Sequence, residues 1–214
     1  MKIKWTQYQW IVILIIGSLS SFGFSKNISE KELANLQKKL KRIKTIQFQF
    51  EINDYKKMRN RYTKSYGSAA FSRPDKFVWD HKNPNPKKII YNGKKAKVIE
   101  KGKETVAQKL PRENKRLLDE IVKIVLDFNT LRDSYRFDDP KPRWLGPVAQ
   151  LILKPKAGST IGKHAEFDQI EVRISKSSGL IKFIKLDLGG GNFKEIYFKK
   201  PNTKKKLPSS TFRI

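Results

Sequence analysis

The clearest pattern along the chain is a change of hydrophobic period near residue 44. Ile46, Phe48, Phe50 and Ile52 alternate with Gln47, Gln49 and Glu51, so one face of this segment is apolar and the other wet. That period of two predicts a half-buried β-strand. Just before it the spacing is helical: Leu33, Leu36, Leu40 and Ile43 mark one stripe. Ser29 and Glu32 form a capping box, and Ile28 and Leu33 sit where a hydrophobic staple would fix the approach of the chain. Together they predict an amphipathic helix over Asn27–Arg42 whose narrow stripe covers something larger.

Beyond a charged turn at Lys56–Arg61 the strand pattern continues over Ser68–Arg73, Phe77–His81, Lys88–Tyr91, Lys95–Glu100 and Glu104–Leu110. Asn92-Gly93 closes one hairpin, where a two-residue turn would place both central residues at positive φ. A second helix is expected over Glu113–Arg132. Leu117, Leu118, Ile121, Ile124, Val125, Phe128 and Leu131 share one face, opposite Lys115, Arg116, Asp119, Glu120, Lys123 and Asp127. Strands then resume at Ser134–Phe137, Val148–Lys154, Asp168–Ser175, Leu180–Leu188 and Phe193–Lys199. The Pro-rich segment Asp139–Pro147 reads as an irregular loop, and Ser177-Ser178-Gly179 and Gly189–Asn192 read as tight turns.

Roughly eleven strands joined by short turns make an antiparallel meander. A sheet this long curls, because each strand twists relative to its neighbour. The expected fold is mainly β (α+β), a single domain whose curved antiparallel sheet forms an unclosed barrel with a helical lid. Two helices can bury only part of the concave face, and the remainder is a candidate apolar cavity.

The N-terminus adds a targeting signal. Lys2 and Lys4 precede an apolar run at Ile11–Ile16, extended by Gly17, Ser18 and Leu19, with small residues Gly23 and Ser25 placed for a signal peptidase. Cleavage after Ser25 is expected, leaving residues 26–214 as the exported domain. The apolar run falls short of the ~20 residues that a membrane-spanning helix needs. The chain has no Cys, so neither disulfides nor a lipidated cysteine can anchor it, and apolar packing must carry the fold.

The formal charge of +27 would point to nucleic acid in a cytosolic protein. Export argues against that partner. Attraction to an anionic membrane face and a merely solubilising surface both remain open as explanations of the excess lysine.

Catalytic chemistry finds little support. With two His and no Cys, a His/Cys metal cluster cannot be built. His81 beside Asp80 could join a Ser-His-Asp set, but no Gly-x-Ser-x-Gly elbow accompanies it. Gly189-Gly190-Gly191 has no helix after it and fits a hairpin better than a phosphate loop. No enzyme activity, cofactor or metal is expected.

Five sequence features, in order, resemble the LolA family of periplasmic carriers of outer-membrane lipoproteins. They are Phe48-Gln49-Phe50 after the first helix and Arg73-Pro74 followed by Phe77 and Trp79. Then come the hairpin closed by Asn92-Gly93-Lys94, the strand Leu151-Ile152-Leu153-Lys154-Pro155-Lys156, and Asp187 with Gly191-Asn192. The resemblance implies that Arg73 reaches across the cavity to hydrogen-bond the lid backbone and hold the empty form shut. Phe48, Phe50, Phe71, Phe77, Trp79, Leu117, Leu118, Ile121, Val125 and Leu151 would line an acyl-chain cavity, with ordinary core as the alternative for each.

The implied function is a monomeric periplasmic chaperone that carries acylated lipoproteins from the inner to the outer membrane. Its partners would be a lipoprotein-releasing ABC transporter of the inner membrane, and an outer-membrane receptor or the outer membrane itself. A lipid-sensing regulator or a phospholipid or glycolipid carrier on the same fold is the alternative. A secreted binder of anionic polymer is a third possibility that composition leaves open.

Overall fold

The structure is a computed structural model and describes residues 26–107, 121–122, 124–127, 132, 135–138, 141–156, 167–204 and 206–214. The predicted leader and most of the second predicted helix, including Leu117 and Leu118, lie outside the described residues.

Among the described residues thirteen strands form one antiparallel sheet. In chain order they are β1 (Lys26–Asn27), β2 (Thr45–Lys56), β3 (Arg61–Ser72), β4 (Lys76–Asn83), β5 (Lys87–Tyr91), β6 (Ala96–Glu100) and β7 (Lys103–Ala107). They continue as β8 (Tyr135–Phe137), β9 (Arg143–Leu145), β10 (Val148–Pro155), β11 (Gln169–Ser175), β12 (Ile181–Asp187) and β13 (Phe193–Asn202). The order across the sheet is β1-β9-β10-β11-β12-β13-β2-β3-β4-β5-β6-β7, with β8 paired to β10. Two meanders are thus joined where β13 pairs β2 over most of its length. Strand β7 and the β1/β9 edge do not pair with each other, so the barrel is unclosed, as the pattern predicts.

Helix α1 spans Glu30–Lys41, with the predicted capping box at Ser29 and Glu32. The Glu32 carboxyl accepts from the Ser29 backbone at 2.9 Å and from Trp144 Nε1 at 3.2 Å, and these bonds hold its pKa below the ordinary value. Leu33, Leu36 and Leu40 are buried against the sheet, so the narrow stripe covers its concave face.

Four details depart from the sequence reading. The β2–β3 hairpin is longer than expected: β3 begins at Arg61, and the connection shrinks to a single 3-10 turn at Lys57–Arg59 followed by Asn60. Polar residues alternate there with Tyr62 and Tyr66, which hides the strand from a search for apolar faces. The expected loop at Asp139–Pro147 contains β9, which pairs β10 through Gly146-Pro147 and receives β1 on its other side. The Asn92 turn holds only Gly93 at positive φ (+93°), because four residues separate the paired Tyr91 and Ala96. Asn92 acts through its side chain instead, accepting from the backbone N–H groups of Lys94 and Lys95 at 3.0 and 2.8 Å. Helix α1 is also shorter than predicted, since Lys26–Asn27 is strand.

The sheet is apolar on its concave face, and one patch of its outer face is covered too. There the C-terminal segment lays Phe212 on Val78 and Ile90, with Leu207 and Ile214 beside them. This cover explains why β4 reads as buried on both faces rather than alternating.

Candidate functional site

The concave face has two distinct ends, set by what β2, β3, β4 and β13 point inward. At the end where β3 turns into β4, aromatic side chains fill the space. Phe48 stacks on Phe71 at 5.4 Å and meets Phe198 edge-on at 4.6 Å, and Phe77 lies between Phe71 and Tyr91. Helix α1 and the second helical segment cover these rings: Ile121, Ile124, Val125 and Leu126 are all buried in the same cluster.

Arg73 sits where the cover is fastened. Its backbone N–H donates to Lys44 O at 3.0 Å. Its Nε donates to Ile43 O at 2.9 Å, and its Nη2 donates to Leu40 O at 3.3 Å and also to Leu126 O. Leu40 lies in the last turn of α1, where carbonyls lack intrahelical partners and a cation complements the helix dipole. Burial lowers the Arg73 pKa and nearby Asp127 opposes the change. A guanidinium starts so high that it stays charged. Asp127 reinforces the same junction, receiving Gln37 Nε2 and, at 3.4 Å, Lys41 Nζ. Further along, Arg132 donates to both Glu30 oxygens at 2.8 and 3.0 Å and lies over Phe137. Charged ties therefore join the lid segment to α1 near both helix ends.

At the opposite end of the same strands the inward residues of β3 become small. Phe71 and Ala69 give way to Gly67, Ser65 and Thr63, facing Phe50, Ile52 and Asp54 across the β2–β3 register. The result is a cavity of about 300 Å³. Its walls are Ile52, Trp79, Ile89 and Ile196, and Ile121 of the lid segment lines it as well.

Gly67 lies next to it on β3, against Phe50. A Cβ there would stand 2.2 Å from the Asp80 carbonyl oxygen and 2.4 Å from Phe50 Cζ. Without a side chain at this point, the Phe50 ring crosses the strand to stack on Trp79 at 4.3 Å and meet His81 edge-on at 5.0 Å.

The cavity mouth is polar. Asp54, His81, Lys87 and Lys194 line it with Pro84 and Asn85. Lys194 Nζ pairs with Asp54 at 2.5 Å, and Lys87 pairs with Glu100 at 3.0 Å. Burial lowers the His81 pKa, Lys194 and Lys87 lower it further, and Asp80 acts in the opposite direction. His81 is thus a neutral ring that continues the apolar wall to the rim. A larger hollow of about 560 Å³ lies on the outer face beside the C-terminal segment. Gln47, Gln49, Asp80, Lys88 and Lys200 surround it.

Of the residues expected at the cavity, Trp79 and Ile121 line it and Phe50 backs Trp79. Phe48, Phe71 and Phe77 pack at the Arg73 end, and Val125 and Leu151 are fully buried in the same core. Sequence reasoning did not place Ser65, Ile196 and Lys194 at the cavity, and it considered His81 only as a weak catalytic candidate. The signal available was the loss of side-chain volume along inward positions of β3, from Phe71 to Thr63, which a search for large apolar residues overlooks.

Comparison with known proteins identifies the family of the chain. The sequence profile of the family described as outer membrane lipoprotein carrier protein LolA matches residues 41–214. An outer-membrane lipoprotein carrier protein of Pseudomonas entomophila (strain L48) is 24% identical over 204 residues, covering 95% of this chain and 93% of that protein. Among solved structures, an uncharacterized conserved protein from Thermus thermophilus superposes with a TM-score of 0.52 at 9% identity, over 86% of this chain and 93% of that one. At such identity the likeness concerns the fold alone. The profile match spans most of the chain, which therefore belongs to the outer membrane lipoprotein carrier protein LolA family, whose members are periplasmic carriers.

Proposed function

We propose that the protein shelters the acyl chains of lipoproteins beneath its helical lid and carries them across the periplasm from the inner to the outer membrane. The observation that carries this reading is the 300 Å³ cavity, walled by Ile52, Trp79, Ile89 and Ile196 and covered by Ile121, at the end of the sheet away from Arg73.

The chemistry demands such a hollow. Moving an acyl chain through water costs about 0.8 kcal/mol per CH₂, or roughly 12 kcal/mol for one sixteen-carbon chain. An empty apolar groove would in turn invite aggregation, which a lid prevents. The cavity volume lies at the low end of ligand sites, which run from about 300 to 1,000 Å³. The closed form therefore has room for part of one chain, and the lid must swing away for the rest.

Arg73 is the latch in this scheme. Its bonds to Leu40, Ile43 and Leu126 carbonyls favour closure, and the closure energy helps expel the cargo. Residues 1–25 act as a cleaved export signal. Cargo is taken from an inner-membrane lipoprotein-releasing ABC transporter and handed to a receptor or to the outer membrane, and the carrier works as a monomer without nucleic acid.

The test is mass spectrometry of whatever copurifies with the protein released from periplasm. Acylated lipoprotein bound one-to-one, and retained longer by Arg73→Leu, is the expected result. Phospholipid alone would favour a general lipid carrier on the same fold, and an empty protein under all conditions would reject acyl carriage.

A further inference from the structure

The β2–β3 hairpin carries a feature that the cavity does not require. Its tip reads Lys56-Lys57-Met58-Arg59-Asn60-Arg61-Tyr62, and Met58 is 99% exposed. A lone exposed apolar side chain is ordinary on a protein surface. Three observations lift this one above that baseline.

The tip is rigidly built. Tyr55 OH donates to Asn60 Oδ1 at 3.1 Å, and Asn60 closes the turn in the left-handed region. The Lys57 backbone N–H donates to Asn192 Oδ1 at 3.1 Å. The glycine turn between β12 and β13 lies directly against it, since a Cβ on Gly191 (φ +79°) would stand 2.6 Å from Lys57 Cδ. The exposed methionine is therefore held out by a braced hairpin.

Charge and aromatic character are distributed as an interface needs. Among the described residues Lys57, Arg59, Arg61 and Lys64 have no carboxylate partner, whereas Lys56 pairs with Asp54. Of the acids on this rim, Asp54 is taken by Lys56 and Lys194, Asp187 Oδ1 accepts from Gly189 N–H at 3.0 Å, and Asp168 lies beside that glycine turn. Behind the tip Tyr55, Tyr62 and Phe193 form a ring cluster at 4.7 to 6.1 Å, with Tyr62 55% and Tyr66 44% exposed. Lys185 covers Phe193 at 4.0 Å. An apolar point, a ring of long cations that can snorkel, and amphipathic tyrosines at one level match the layers of a membrane surface.

Position gives the feature a purpose. Thr63, Ser65, Asp54 and Lys194, all beside this hairpin, line the cavity mouth. We propose that the β2–β3 tip docks on an anionic phospholipid bilayer, with Met58 entering the headgroup layer, and so sets the cavity mouth against the membrane. The value of that orientation rests on the carrier reading, but the docking itself does not depend on a filled cavity.

The exported protein, purified after leader removal, supplies the test. The chain has no cysteine, so Met58→Cys takes a single environment-sensitive dye. Vesicles of phosphatidylglycerol mixed with phosphatidylcholine should sediment the protein and shift the dye emission to the blue. Vesicles of phosphatidylcholine alone should do neither, and added salt should weaken the effect. Each basic residue near such a surface is worth about fivefold in partitioning, so Lys57→Gln with Arg59→Gln should lose about thirtyfold. The same charge change at the opposite end, Lys94→Gln with Lys95→Gln, should alter binding much less. Equal binding to both vesicle types, or tip variants that bind like the parent, would overturn the proposal. Docking by a protein that never carries acyl lipid would uphold it and reject the carrier reading instead.

Discussion

The two ends of one concave face differ more than their shared strands would lead one to expect. At the Arg73 end Phe48, Phe71, Phe77 and Phe198 pack ring against ring, and α1 and the lid segment are fastened there by backbone carbonyls and charge. At the Lys194 end the same strands present Gly67, Ser65, Thr63 and Ile196, and a cavity opens. The β2–β3 register runs unbroken through both ends, while the β3–β4 register shifts between Tyr66 and Gly67 at the cavity end. The difference is side-chain volume at a few inward positions, most of them on a single strand, together with the bulge at Tyr66 and Gly67 on that strand.

Substitutions that treat the ends unequally should expose this contrast. Phe71→Ala removes a fully buried ring from the packed end and should cost about 3–5 kcal/mol in denaturant unfolding. Ile121→Ala borders space that already exists, so about 2 kcal/mol, the low end for such a change, is expected. Equal costs would mean that the two ends are packed alike.

Arg73→Leu leaves the Leu40, Ile43 and Leu126 carbonyls without their charged donor. A loss of about 2–3 kcal/mol is expected. Amide exchange should accelerate in the lid segment around residues 121–126 and at the C-terminal turn of α1, and not in β10–β12. Uniform acceleration throughout the sheet would show that Arg73 supports the whole fold and not a local clasp.

Ser65→Phe should refill the cavity. Because the ring enters open space, stability should change by no more than about 1 kcal/mol. Binding of a fluorescent fatty-acid probe should nevertheless be lost. Retained binding would place the site elsewhere, with the outer hollow beside Leu207 and Pro208 the first alternative.

The smallest expected effect concerns pH. His81 has its folded pKa lowered, chiefly by burial and then by Lys194 and Lys87, so the unfolded chain binds the proton more readily. The stability linked to neutral His81 is fully present above its ordinary value of 6.5 and is lost as pH falls below that toward the folded value. Thermal midpoints of the wild type should decline through this window more steeply than those of His81→Gln. Identical slopes would remove His81 from the cavity wall.

Much of the architecture was legible because the relevant signals are local. Strand alternation at Ile46–Ile52, the capping box at Ser29 and Glu32, and the turns at Ser177-Ser178-Gly179 and Gly189–Asn192 each follow from a few adjacent residues. Strand β9 was not legible, since three residues between prolines acquire an extended form only by pairing with β10 and β1. The long polar part of β3 was hidden for the same reason: its inward residues are small, and its partner strands lend it order. The aromatic residues were easy to identify as interior, yet their positions alone could not separate lining from filling. That distinction depends on Gly67, where an absent side chain lets Phe50 lie flat on Trp79.

The most direct test is photolabelling of the purified protein with a diazirine-bearing fatty acid, followed by mapping of the modified residues. Adducts are predicted on Ile52, Ser65, Ile121 and Ile196, around the hollow beneath the lid, and should disappear in Ser65→Phe. Labelling confined to the outer-face hollow, or spread evenly over the sheet, would contradict an acyl-chain site under the lid.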